Sequence, residues 1–200
     1  MLARILSILH ATLFLGQVAP PSEVDWRWLD EHRGAALEAF MPTRQGARAI
    51  VTYRSYRDLY HDAEERYFSI GFAPGASFNR DRLEATVVVP TGGSVQQQIL
   101  DLHMRDRLGS LEALLPRITV RRLLLNADRC TAIRVRMDAL SKTAISLPER
   151  DTVFLHPFVH HFSIALAGAK VDATLYDDEN PLVLWARDTL SALLACGSGK

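Results

Sequence analysis

The chain lacks several things, and each absence removes a class of function. Only two cysteines occur in 200 residues, Cys130 and Cys196, and neither lies near the N-terminus, which removes a lipid-anchored N-terminal cysteine. An excess of one charge is missing: 23 Lys and Arg face 23 Asp and Glu. No bulk field therefore draws the protein to nucleic acid or to an anionic membrane. No apolar run reaches the ~20 residues of a transmembrane helix. Low-complexity tracts are absent apart from a short "GSGK" tail. The signatures of common nucleophiles are absent too, with no Gly-x-Ser-x-Gly elbow and no Ser-x-x-Lys. The glycine pair in "PTGGSV" lacks the earlier glycine and the following lysine of a phosphate-binding P-loop.

What is present suits an ordinary globular body. Hydrophobic residues make up 48% of the chain, enough at this length to bury a core without added staples. The N-terminus starts with the basic "MLAR" and continues as an apolar run from Ile5 to Gly16, broken only by Ser7, His10 and Thr12. That layout is one of a secretory signal peptide. We expect residues 1–19 to be this signal and the mature chain to be periplasmic or secreted, with no transmembrane span. Gln17 and Pro20 fit the cleavage pattern poorly. An uncleaved membrane anchor and a cytoplasmic protein with a docked amphipathic helix are therefore the alternatives.

Residues 20–46 read as an N-terminal helical segment. Ser22 and Asp25 resemble a capping box, a helix follows from about Glu23, and Gly34 is expected to interrupt it. Residues 47–200 read as one α+β domain. "ARAIVTYRSYRDLY" is rich in β-branched and aromatic residues, as strands are. "ERYFSIGF" and "RLEATVVVP" alternate strictly and form a hairpin. Ser94 and Gln97 cap a helix after the glycine pair. "RITVRRLLLN" is a further strand, and a helix is predicted from about Ala127 to Thr143, carrying Cys130, Ile133, Met137 and Leu140 on one face. "TVFLHPFVHHFSIALAG" and "AKVDATLYD" form a second hairpin. Asn180 and Pro181 then open the last helix in the positions of an N-cap and a first helical residue.

Residues 66–107 and 160–195 share a pattern. Phe68-Ser69-Ile70 matches Phe162-Ser163-Ile164, Ala85-Thr86 matches Ala173-Thr174, and a helix follows each. The pattern suggests two ββα repeats in a mostly antiparallel sheet with helices packed on one face.

Candidate chemistry is concentrated in "HPFVHHF", where His156, His160 and His161 fall within six positions. In a strand, His160 and His161 point to opposite faces and cannot share a metal ion. His156 has the parity of His160, but the two lie about 13 Å apart in an extended strand. A metal site needs three or four converging ligands. Structural histidines are the preferred reading, and no cofactor is expected. His103 and Asp106 stand one turn apart, as ordinary helix-surface contacts do. Asp177, Asp178 and Glu179 lack the spacing of a calcium loop. They sit where acids favour the dipole of the following helix. Six arginines between Arg117 and Arg136 are split between a strand and a helix, with no interleaved aromatics for base stacking. No nucleic-acid partner is expected.

The expected function is that of an exported bacterial-type protein without catalytic activity, a binding or interaction module whose partner is a protein of the cell envelope. Its groove between sheet and helices would lie near His156 and Tyr176. The alternative is a small metal-dependent or acid–base hydrolase, using His156 with His160 or His161 and a carboxylate such as Asp172 or Asp177. Export also bears on the cysteines, because an even, small number in an oxidising compartment tends to pair. Both lie on apolar faces turned to the same core, so a Cys130–Cys196 disulfide is predicted.

Overall fold

The computed structural model describes residues 25–41, 48–57, 65–73, 82–143, 158–166 and 169–198. The signal-like segment and His156 lie outside the described residues. Six strands, β1 (Arg48–Arg57), β2 (Arg66–Phe72), β3 (Leu83–Pro90), β4 (Val120–Asn126), β5 (Phe158–Leu166) and β6 (Ala169–Leu175), form one sheet in the order β4-β3-β2-β1-β5-β6. Every neighbouring pair is antiparallel. Among the described residues five α-helices accompany it: α1 (Trp26–Phe40), α2 (Val95–Asp106), α3 (Leu111–Leu114), α4 (Ala132–Leu140) and α5 (Pro181–Gly197). The protein is thus α+β with an antiparallel sheet. No helix among the described residues is long and apolar enough to cross a membrane.

The helices occupy both faces of the sheet rather than one. Phe68 and Val87 stand opposite each other across β2 and β3, as do Tyr67 and Val88 one position on. All four are fully buried. Consecutive residues point to opposite faces, so these two strands are buried on both sides and need two covering layers. α4 and α5 cover the Phe68 face, where Trp185 packs on Phe68 and Leu182, Leu190 and Leu193 complete the core. α1, α2 and α3 cover the Tyr67 face through Leu29, Leu37, Ile99, Leu102 and Leu114. The run Val87-Val88-Val89 was the trace of this in the sequence.

Two hairpin-and-helix segments are present, β2-β3-α2 and β5-β6-α5. Phe68 and Phe162 lie on the same face of the sheet, yet α2 and α5 lie on opposite faces. The matched residues point away from the helix in the first unit and towards it in the second. The residue match between the two segments therefore does not carry an equivalent packing.

Three helix boundaries differ from expectation. Asp25, not Ser22, caps α1: its carboxylate accepts from the N–H of Arg27 at 3.0 Å and of Trp28 at 3.3 Å. α1 then runs unbroken through Gly34, since burial of Leu29, Ala36 and Leu37 outweighs the ~1 kcal/mol helix cost of a glycine. α4 begins only at Ala132, which leaves Cys130 in the turn before it. Cys130 is nonetheless buried, and its disulfide to Cys196 in the last turn of α5 forms with the Cα atoms 5.6 Å apart.

The remaining caps follow the sequence with one addition. Asn180 accepts from Leu182 N–H at 3.0 Å, with Pro181 at the first helical position. Ser94 accepts from Gln97 N–H at 3.0 Å. The Gln97 side chain, however, turns to Asp101 instead of closing the box. Glu65, just before β2, reaches across and accepts from the N–H groups of Val95 and Gln96.

Candidate functional site

β5 runs between β1 and β6, so each of its histidines meets side chains from two neighbouring strands on its own face. His160 faces α5 and is 2% exposed. Its Nδ1 lies 2.9 Å from the Tyr53 hydroxyl and its Nε2 lies 3.0 Å from Asp178 Oδ1. A neutral ring satisfies both contacts: Tyr53 O–H donates to Nδ1, and Nε2–H donates to the carboxylate. Burial pushes the imidazole below its ordinary range, opposed by the charge of Asp178. Burial likewise pushes the Tyr53 phenol up. The result is an Asp–His–Tyr chain with only Asp178 exposed to solvent.

His161 faces the other way. Its Nε2 lies 2.9 Å from the Tyr56 hydroxyl and its Nδ1 lies 2.9 Å from Thr174 Oγ1, so both ring nitrogens are engaged. Burial first, and then the positive charges of Arg54 and Arg33, hold its imidazole below the ordinary range. Arg33, from α1, is buried over the Tyr56 ring with its guanidinium carbon 3.6 Å from the ring centroid. It donates to Gln96 Oε1 at 2.7 Å and pairs with Asp30. This stack fixes Tyr56 and, through it, the His161 ring.

Beside the stack, between α1 and strands β1, β5 and β6, lies a groove of about 300 Å³. Asp30, Arg33 and Gly34 form one wall; Thr52, Arg54, Tyr56, His161, Ser163, Asp172 and Thr174 form the floor and the far rim. Gly34 leaves its side of the groove open, with no atom within 4 Å of where a Cβ would stand. Arg54 is only loosely held, 3.9 Å from Glu38. Asp172, on the exposed rim, is held below the ordinary carboxylate range by a hydrogen bond from Ser163 and by Lys170 3.1 Å away.

Of the residues singled out in the sequence, His161 and Asp172 come together in this groove. His160 is on the opposite face, and its carboxylate partner is Asp178 rather than Asp172 or Asp177. Asp177 accepts from Glu179 N–H in the turn before α5. Tyr176 is exposed just past β6. The His103 and Asp106 pair does not form: His103 Nδ1 bonds Leu108 O at 2.9 Å, and Asp106 pairs with Arg105 and Arg117. Among the described residues no three His, Cys, Asp or Glu side chains converge as a metal site. The sequence reading missed Tyr53, Tyr56, Arg33 and Arg54. In β1, Tyr53 and Tyr56 have opposite parity, which was the available sign that each would meet a different histidine.

A second cavity of about 510 Å³ lies between α5 and the turn from β3 to α2, lined by Glu65, Arg66, Pro90, Arg187 and Leu190 among others. Glu65 is largely buried there, and burial pushes its carboxyl up against the pull of the Val95 N–H. No family model matches the chain, and neither the curated proteins nor the solved structures contain a match to it. The site therefore rests on its own geometry.

Proposed function

We propose that this is an exported, non-catalytic binding protein of the cell envelope whose ligand site is the groove under α1. The observation that carries this is the composition of the groove: a cation at Arg54, an anion at Asp172 and hydroxyls at Thr52, Ser163 and Thr174, around one small open volume. Donors and acceptors of both charges suit a small zwitterion bearing hydroxyl groups. The volume is at the lower end of the ~300–1,000 Å³ typical of ligand pockets. Catalysis is disfavoured by the state of the two described histidines. His161 has both nitrogens occupied, and His160 lies in the core behind Tyr53, out of reach of a substrate. Export is supported by the signal-like N-terminus and by the disulfide, since such bonds persist in oxidising compartments.

The test is a thermal-shift and NMR screen of amino acids, amino sugars and hydroxylated zwitterions. A ligand at a hundred times its Kd adds about 2.7 kcal/mol to stability. That gain should disappear in Arg54→Ala and Asp172→Ala. A hit whose effect survives both substitutions, or a screen in which no compound shifts the resonances of Thr52, His161 or Thr174, refutes the groove. Cell fractionation with N-terminal sequencing tests export, with a mature chain beginning near Pro20 as the expected result.

A further inference from the structure

The sheet has two ends, and β6 is one of them. Among the described residues it pairs with β5 on one side and with no strand on the other. Lys170, Val171 and Asp172 are all exposed, Val171 at 44% despite its apolar side chain. Open edges of this kind recruit further strands unless something blunts them.

The two faces of β6 differ sharply. Ala169, Val171 and Ala173 share the face of α5 and are small and apolar. Lys170 and Asp172 share the groove face and carry opposite charges. The segment from Ala169 to Ala173 reads A-K-V-D-A, the same from either end once the two charges are exchanged. Two copies of an antiparallel strand related by a two-fold axis through the sheet keep their faces aligned, and residues of equal parity stand opposite each other. Centred on Val171, such a pair sets Lys170 against Asp172 twice, Val171 against its own copy and Ala169 against Ala173 twice. Opposite charges and β-branched pairs directly across strands stabilise, and like charges destabilise. Moving the centre by one residue puts Lys170 against Lys170, or Asp172 against Asp172. The charges therefore select one register, as a symmetric dimer requires. The lysine that would blunt this edge towards other strands is neutralised only in that register. The ion pair within one strand, Lys170 to Asp172 at 3.1 Å, is exposed on both sides and holds little against this exchange.

We propose that β6 is a two-fold docking edge for a second copy of this chain, centred on Val171 and joining two sheets into one. Asp172 also lines the groove, so association is read in the absence of any ligand, where only the dimer contact is tested.

The experiment is sedimentation equilibrium of the mature full chain over a wide concentration range, with four proteins. The unaltered protein should associate to a dimer. K170D and D172K each replace two attractive contacts with two repulsive ones and should weaken association at least tenfold. The double exchange K170D/D172K recreates the palindrome with its charges swapped and should restore it. Circular dichroism and melting temperature check that each variant is folded. As a measurement independent of the charge variants, V171C should cross-link to its own copy under mild oxidation, and K170C should not. A protein that stays monomeric throughout overturns the proposal. So does association that the single exchanges leave intact, or a double exchange no better than the singles.

Discussion

Removing the Cys130–Cys196 bond tests how much of the stability rests on the unfolded chain rather than on native contacts. The bond joins residues 66 positions apart, from the turn before α4 to the end of α5, and its loop contains β5 and β6. Closing a loop of that length lowers the entropy of the unfolded chain by an amount worth about 4 kcal/mol at 25 °C. Native contacts change little if both sulfurs are removed, because Cys130 keeps its backbone bond to Asn126 O and its place beside Ile133. The double variant Cys130→Ala/Cys196→Ala should therefore lose roughly 3–4 kcal/mol in urea unfolding followed by tryptophan fluorescence. For a chain of this size that corresponds to a Tm lower by about 6–16 °C. Its urea dependence should also steepen, since the unfolded chain without the cross-link exposes more surface. Reductant should lower the stability of the unaltered protein and leave the variant alone. A loss below about 1 kcal/mol, with faster hydrogen exchange confined to the last turn of α5, would refute the reasoning. The bond would then only hold a fraying end.

Two further predictions concern buried ionisable groups. His160 and His161 are both held below the ordinary histidine value of 6.5, so on acidification the unfolded chain takes up protons before the native one. The histidine contribution to stability should be flat above about pH 6.5 and fall as the pH drops below it; His160→Gln should flatten that slope in denaturation curves between about pH 5 and 6.5, and an unchanged slope counts against the assignment. Glu65→Ala leaves the buried N–H of Val95 and the neighbouring Gln96 N–H without their carboxylate, and should cost about 1–3 kcal/mol in urea unfolding.

Much of the fold was legible because alternation is a local property. Phe68, Ile70, Leu83, Ala85 and Val87 marked one hairpin face directly, and Asn180-Pro181 marked the start of α5. The second covering layer was harder to see. It depended on Tyr67 and Val88 also being buried, and their alternation with polar neighbours was masked by the apolar residues of the other face. Gly34 misled because helix propensity is a small term beside the packing of Leu29 and Leu37. The split of His160 and His161 between faces followed from parity alone. Their partners did not, because Asp178 arrives from a turn beyond β6 and Tyr53 and Tyr56 from a strand far upstream. Glu65 gave no sign at all, since its role depends on where the start of α2 lies in space.

The place of β1 in the sheet also has a consequence for how the protein is made. It is the first strand among the described residues, yet it lies in the interior of the sheet, between β2 and β5. One flank is filled by the next strand to be synthesised. The other waits for β5, whose His160 meets Tyr53 across 107 positions. Pairings between strands so far apart in the sequence form slowly. While it emerges from N- to C-terminus, the segment Ala49–Tyr56 holds an open hydrogen-bonding edge on a partly built core, and such edges invite aggregation. That edge of β1 stays unfilled until β5 has been synthesised, and a chaperone that shields it would have to act before then.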